Sequence, residues 1–565
     1  MPSLCPCIDQ SLQQILTGSF PSATKAKRVG LVHQVVAPVG PGVIPSTENT
    51  MAYLESVAIT CARDLAEGKL KPFKAKRSLM QRLLWKLLEF SAFRRMFFDQ
   101  ARKKVINHTR GLFPAPLNIV DLIETSVAKG SKVGYELEAK MFGELAMTEE
   151  SKALMVPKLP VKRLGVLVAG PMGAGIAQVS IQRDIPVVMK DVSSSSLAGG
   201  EEHIQSNLAG LVKRKQLTQV EANKTFSLLD NTLDVNSLNT VDMVIEAVFE
   251  DIALKHRVIK EVEAVLPSRA IFATNTSALP LHRIAEASKR PDKFIGINYF
   301  SPVDKMELLE ITVTDKTSSD TLASATNMGL RQGKVVIVVE DDPGFYTTRL
   351  LGPMLSESIL LLQEGIPATE LDNACKAFGW PVGLATPADE VGVDVALHVA
   401  SCLSTAFPMR EVGGDINLLK DMAIAGMLGR KSGKGMYVYT DKKAKNRWGN
   451  SEASTILEKY RVVPKAQNTL ENIQYRLFTR FVKEAVLCLQ EGILTKGPIE
   501  GDVGVVFGLG FPPNLGGPFR YLDLYGASGL VSRVEEFRKI YGDQFTPCQL
   551  LLDHVNDNGK KFHKR

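Results

Sequence analysis

Long apolar runs are missing from this chain: across its 565 residues no stretch approaches the ~18 uninterrupted apolar residues of a membrane-spanning helix. Cysteine is sparse and odd in number, with seven thiols scattered at positions 5, 7, 61, 375, 402, 488 and 548. That usage excludes a disulfide-stapled scaffold and points to reduced thiols in an intracellular compartment. Cys5-Pro6-Cys7 would be half of a zinc site, but no second ligand pair follows at the required spacing, so no metal is expected. A strong charge imbalance is also absent. Sixty-eight Lys and Arg against 61 Asp and Glu leave +7, too mild by itself to imply nucleic acid. The opening MPSLCPCIDQSLQQIL has one acid and no base, unlike the Arg- and Ser-rich, acid-poor helices of mitochondrial presequences. What is present, 45% hydrophobic and 23% charged residues, is ordinary globular composition at a length that implies several domains.

Texture divides the chain. Residues 1–40 end in a Gly/Pro stretch, VAPVGPGVIPST, that reads as a boundary, and residues 41–158 read as helical and polar. Between Arg63 and Lys104 lie 13 bases and four acids, a local excess of +9 that is larger than the charge of the whole chain. Leu83, Leu84, Trp85, Leu87, Leu88, Phe90, Phe93, Met96, Phe97 and Phe98 fall among those bases. Two readings fit this pattern: an interfacial helix on an anionic membrane or partner, or a helix packing its aromatic stripe on the next domain with its bases in solvent. Nucleic-acid binding is disfavoured, because no nucleic-acid module accompanies the bases.

Residues 159–343 alternate short β-rich runs (164–168, 186–190, 241–248, 270–274, 294–300, 306–313 and 335–339) with helix-period segments. This predicts an α/β fold, a Rossmann-like, largely parallel, doubly wound sheet. After Pro343-Gly344 the strands are expected to stop. The helical remainder repeats itself: Leu362-Gln363-Glu364-Gly365 recurs as Leu489-Gln490-Glu491-Gly492, 127 residues on, and Gly379-Trp380-Pro381 and Asp389 answer to Gly510-Phe511-Pro512 and Asp523. Two copies of one helical unit, 344–460 and 461–565, are expected to pack as a pair.

The run Val168-Ala169-Gly170-Pro171-Met172-Gly173 follows the first strand and opens a helix, and Asp191 ends the next strand. This is the context of a dinucleotide-binding fingerprint, with Gly170 and Gly173 admitting the pyrophosphate and Asp191 facing the ribose hydroxyl, and it favours NAD. The fingerprint is damaged. Its first glycine is Val168, and Pro171 removes a backbone donor near the helix start.

Together with VIEAVFED, ATNTSALP, YFSPVDKMELLEI, DPGFYTTR, DEVGVDVA, GRKSGKGMY, LQEG and FGLGFPPNLGGPFRYLDLYG, these motifs make residues 160–565 resemble the trifunctional-enzyme α-subunit family of fatty-acid β-oxidation. Residues 16–36 resemble the tail of that family's crotonase-type enoyl-CoA hydratase domain, and 50–155 the helices that follow it. The resemblance implies NAD-dependent oxidation of an L-3-hydroxyacyl-CoA, an acyl-CoA substrate, a thiolase-type β-subunit partner, and a place on the matrix side of the mitochondrial inner membrane. It also implies roles for single residues. Ser277 would position the substrate oxygen, Glu250, Lys255 and Asn275 would contact the cofactor, and Glu310 would orient the catalytic base. The base itself is the departure. The family motif G-x-H-[FY]-F-x-P reads GINYFSP, with Asn298 where the histidine stands. An amide accepts no proton near neutral pH, so dehydrogenation is expected to be impaired. The hydratase glutamates lie upstream of the LTG…GLV segment in the family, so hydratase activity is expected to be absent. His282, five residues after Ser277, is the substitute base to consider. The competing reading is an inactive acyl-CoA-binding or assembly relative.

Overall fold

The structure, a computed structural model, describes residues 16, 23–28, 32, 34–37, 46–70, 79–109, 114–146, 160–440, 447–557 and 560–563. Cys5, Cys7, residues 38–45 of the Gly/Pro boundary stretch and the bases at 71–77 lie outside the described residues. The chain forms two compact units, divided between Lys152 and Ala153.

The first unit is helical. Helices Leu79–Glu89, Ser91–Thr109 and Pro114–Lys129 enclose a small core of Leu88, Phe98, Val105, Val120 and Ile123, with Trp85, Phe93 and Phe97 at its margin. The aromatic stripe therefore packs within its own unit. Arg102 sits among Asp99, Asp121 and Glu124, so part of the local positive charge is answered by acids of the neighbouring helix. Leu83, Phe90 and Met96 remain exposed among the bases. Among the described residues no helix is long and apolar enough to cross a membrane.

The second unit opens with an eight-stranded sheet: β1 Leu164–Leu167, β2 Val187–Lys190, β3 Leu229–Thr232, β4 Met243–Glu246, β5 Ile271–Thr274, β6 Phe294–Tyr299, β7 Leu308–Val313 and β8 Val335–Glu340. Their spatial order is 3-2-1-4-5-6-7-8. The first six run parallel, β7 pairs antiparallel with β6, and β8 is parallel to β7. Every residue of β1, β4 and β5 is buried, because helices cover both faces, and so these strands read as mainly apolar runs. The order reverses between β1 and β4, which is where such sheets open a crevice for ligands at their carboxyl ends. β3 escapes the sequence pattern because Leu-Asp-Asn-Thr is a half-exposed edge with one apolar residue.

Two long helices, Thr347–Gln363 and Leu470–Gln490, pack against each other at the centre of the helical half. Each ends in a residue of positive φ, Gly365 and Gly492, as the repeated LQEG requires. Their pairing is reciprocal. Arg349 of the first helix bonds Glu484 and Glu491 of the second, while Arg476 of the second bonds Glu357 and Glu364 of the first. All three positions, one Arg and two Glu, recur 127 residues apart, so the clasp has an internal two-fold character. The facing loops repeat it: a Cβ on Gly379 would meet Pro512, one on Gly510 would meet Pro381, and Trp380 stands edge-on to Phe511 at 5.5 Å.

The expectation that strands end at Pro343 is corrected by a short hairpin, β9 Tyr437–Tyr439 and β10 Arg447–Gly449. It is anchored by Asp389, which accepts the Met436 and Tyr437 N–H groups and the Tyr439 hydroxyl. In the second repeat Asp523 does the same for Phe562 and His563. Strands of three residues carry too little periodicity to be read in advance.

Candidate active site

The fingerprint turn survives its substitutions. Val168 takes φ +78°, the conformation that a glycine reaches freely, and its N–H still bonds the Lys190 carbonyl at 2.8 Å. Gly173 is indispensable there: a Cβ would fall 1.8 Å from the Val168 carbonyl oxygen. Pro171 occupies the first turn of helix Pro171–Ile181, where its missing donor costs the helix nothing. Asp191 is buried, and its carboxylate accepts the N–H groups of Ala169, Val192 and Ser193. One lone pair of Oδ2 is left for a ribose hydroxyl. The backbone cradle, the helix N-terminus and the carboxylate are thus compatible with a dinucleotide, and the Val168 side chain, beside Gly170 at 3.7 Å from a Cβ placed there, is the one addition.

Glu250 gathers the loop after β5. Its oxygens accept Thr276 Oγ1 at 3.0 Å and the Ser277 N–H at 2.7 Å, with Ser277 Oγ at 3.4 Å. Asn275 Oδ1 accepts the Tyr299 N–H at 3.0 Å, which draws the residue next to Asn298 against this loop. Lys255, expected from the resemblance to contact the cofactor, lies beneath this loop beside Glu250. It is fully buried, its ammonium bonding both oxygens of Glu246 at 3.0 and 3.1 Å with Glu250 at 3.6 Å. Glu246, which also accepts Thr274 Oγ1 and the Val248 N–H, was not singled out from the sequence. An acid inside the apolar run MVIEAV was its available signal.

Asn298 and Glu310 face each other as a cross-strand pair of β6 and β7, and Asn298 Nδ2 donates to Glu310 Oε2 at 3.0 Å. The other donors to Glu310 are the N–H groups of Tyr346 and Thr347 and the Thr347 hydroxyl. Thr347 and Tyr346 carried no sequence signal for this role. Glu310 is completely buried; burial raises its carboxyl above the usual range, against the pull of the Asn298 and Thr347 bonds. The base position is therefore filled by an amide whose N–H₂ is turned to the acid. His282 is 62% exposed and bonds Asp341 at 2.6 Å, at the start of helix Leu281–Ala285. It is thus committed elsewhere than the Asn298–Glu310 pair.

Residues 163–342 match the family described as 3-hydroxyacyl-CoA dehydrogenase, NAD binding domain, and residues 344–439 the C-terminal domain of the same enzymes. The fold and the crevice define a dehydrogenase of that class, with an NAD-binding domain and its helical companion. The chain is 37% identical over 573 residues to the fatty acid oxidation complex subunit alpha of Vibrio vulnificus, covering 98% of this chain and 77% of that protein. With the corresponding subunit of Shewanella frigidimarina it shares 35% over 581 residues, 99% of this chain and 78% of the relative. It belongs to the family of fatty acid oxidation complex α subunits. Among solved structures, the 3-hydroxybutyryl-CoA dehydrogenase of Escherichia coli superimposes with a TM-score of 0.61 at 22% identity, over 71% of this chain and all of that one. The dehydrogenase part of multifunctional enzyme 1 from C. elegans gives 0.50 at 23%, over 70% and 90%. Both likenesses speak to fold alone.

Proposed function

We propose that this protein binds NAD and an L-3-hydroxyacyl-CoA but oxidises its 3-hydroxyl group poorly. The observation behind this reading is the amide at position 298, which donates to Glu310 and offers no proton acceptor. NAD, when bound, supplies the hydride acceptor for a secondary alcohol. The chain's own groups would then hold the substrate: Ser277 orients its oxygen, Glu250 fixes Ser277 through the backbone N–H, and Glu310 holds Asn298 in place. Loss of a positioned base costs typically ~10²–10⁴ in rate. The deciding experiment is turnover of a 3-hydroxyacyl-CoA by Asn298→His, at saturating NAD and in a Val168→Gly, Pro171→Leu background so that weak cofactor binding does not mask recovery. A gain of about 10²–10⁴ is expected. Equal turnover by the unaltered protein would refute the reading.

A second role, assembly or anchoring, is favoured by Leu83, Phe90 and Met96, exposed among bases in the first unit. The relatives are named as subunits of a complex, which supports a partner here, a thiolase-type β subunit by resemblance. The same resemblance leads us to propose the matrix face of the mitochondrial inner membrane as the place where both roles are exercised.

A further inference from the structure

We propose that the first helical repeat contains a separate binding site for the end of an unbranched aliphatic chain, in an apolar cavity between helices Thr347–Gln363 and Val393–Ala406. The cavity has a volume of about 50 Å³, and Leu355, Ile359, Ala396, Ala400 and Leu403 are among its walls. At one water per ~10–15 Å³ this is room for about three to five small groups.

The internal repeat shows that the space is built and not a packing lapse. Gly392 and Gly526, both of positive φ, open equivalent helices 134 residues apart. Phe407 and Tyr541 keep the same offset, and each lies under the arginine of its repeat, Arg349 at 4.5 Å and Arg476 at 4.1 Å. With that register Ala396, Ala400 and Leu403 correspond to Leu530, Val534 and Phe537, and Glu411 corresponds to Phe545. In the second repeat those four side chains are buried, and Phe537, Tyr541 and Phe545 pack ring on ring. The same position is therefore plugged in one copy and hollow in the other, through smaller side chains at three positions of one stripe. Protein interiors are close-packed, so an unfilled hollow is a cost that a ligand would relieve.

The lining selects an apolar occupant. The hydroxyls of Ser356 and Ser358 are already donated to the carbonyls of Glu411 and Leu355. A water, which wants two to four polar partners, is poorly served there. Glu411 is the acid in the wall, against Gly352 and Leu403. Burial pushes its carboxyl up to about 8, with Arg480, Arg349 and Arg410 pulling down and Glu484 pushing up. The opposite face of helix Val393–Ala406 carries His398 and Cys402, and His398 lies 6.3 Å from the Phe249 ring beyond β4. The cavity is thus on the far side of that helix from the dinucleotide domain, and this inference does not depend on the dehydrogenase reading.

Xenon is the probe for the hollow, and decanoate and decanoyl-CoA are the probes for the chain. With the full chain, xenon should saturate a site that shifts the methyl resonances of Ala396 and Ala400, and either decanoyl ligand should displace it. Displacement by the thioester alone identifies an acyl-CoA tail, and displacement by the acid alone a free fatty acid. Ala396→Leu with Ala400→Val, which copies the second repeat, should abolish the xenon shifts, as should Leu403→Phe if the double variant fails to fold. No xenon shift in the unaltered protein, an undiminished one in a folded filled variant, or displacement by neither ligand overturns the proposal.

Discussion

Val168 holds a conformation that β-branched residues reach only against steric resistance, at φ +78°. Such a residue costs roughly 1–3 kcal/mol, and a glycine in its place loses about 0.5–1 kcal/mol through the freer unfolded chain. Val168→Gly should therefore stabilise the protein by about 1 kcal/mol, seen as a higher denaturation midpoint with an unchanged slope. NADH titration of the same variant should show tighter binding, because the side chain beside Gly170 is gone; an unchanged titration would assign the fault to Pro171. At this scale the sequence reveals departures better than their consequences. Asn298 is legible as a misfit in a motif, but that it turns its amide to Glu310 follows from the cross-strand register. Lys255, which the family resemblance makes a cofactor contact, stands buried on Glu246, a placement that follows from the packing around β4 and not from its motif.

The paired central helices are joined by buried ion pairs. Arg476 and Glu357 are both fully buried, and removing one member of such a pair leaves an uncompensated charge in the interior. Arg476→Met should cost about 3–5 kcal/mol by chemical denaturation, far beyond the effect of the exposed pair Lys434–Glu452, at about 0–1 kcal/mol. A different device holds the final described segment. His563 bonds Asp523 at 2.7 Å and approaches Asp502 at 3.2 Å, with Phe562 stacked on His554 at 3.8 Å. Burial lowers the His563 pKa, but Asp502 and Asp523 outweigh it and the net shift is upward from 6.5. The bond's contribution is then complete below about pH 6.5 and disappears as pH rises through the raised value. The melting-temperature difference between the unaltered protein and His563→Gln should be largest near pH 6 and fade in alkali; a difference independent of pH would assign the segment to its aromatic stacking. The LQEG repeat was legible because glycine must follow each helix. The arginines that answer its glutamates were not, since a pairing between positions over a hundred residues apart leaves no local pattern.

For the molecule as a whole, alternating strands and helices reveal the architecture because a doubly wound sheet buries most of its strands on both faces, while the edge strand β3 and the β9–β10 hairpin lack that imprint. The basic first unit should attach the protein to anionic lipid. Liposome flotation with and without cardiolipin is expected to show binding that weakens as salt rises through the ~8–10 Å screening range. Absent or salt-independent flotation would leave Leu83, Phe90 and Met96 to a protein partner. The reciprocal clasp between the helical repeats has a genetic corollary. Arg349 is answered by Glu484 and Glu491 as well as by Asp342, and Glu357 and Glu364 are answered by Arg476, so the repeats share their counter-charges. A nonsense mutation after codon 460 would therefore not yield a serviceable shorter product: it would expose an apolar helix face and abandon buried charges in the part that is still translated. Such an allele should behave as a null, with the truncated polypeptide cleared by proteolysis.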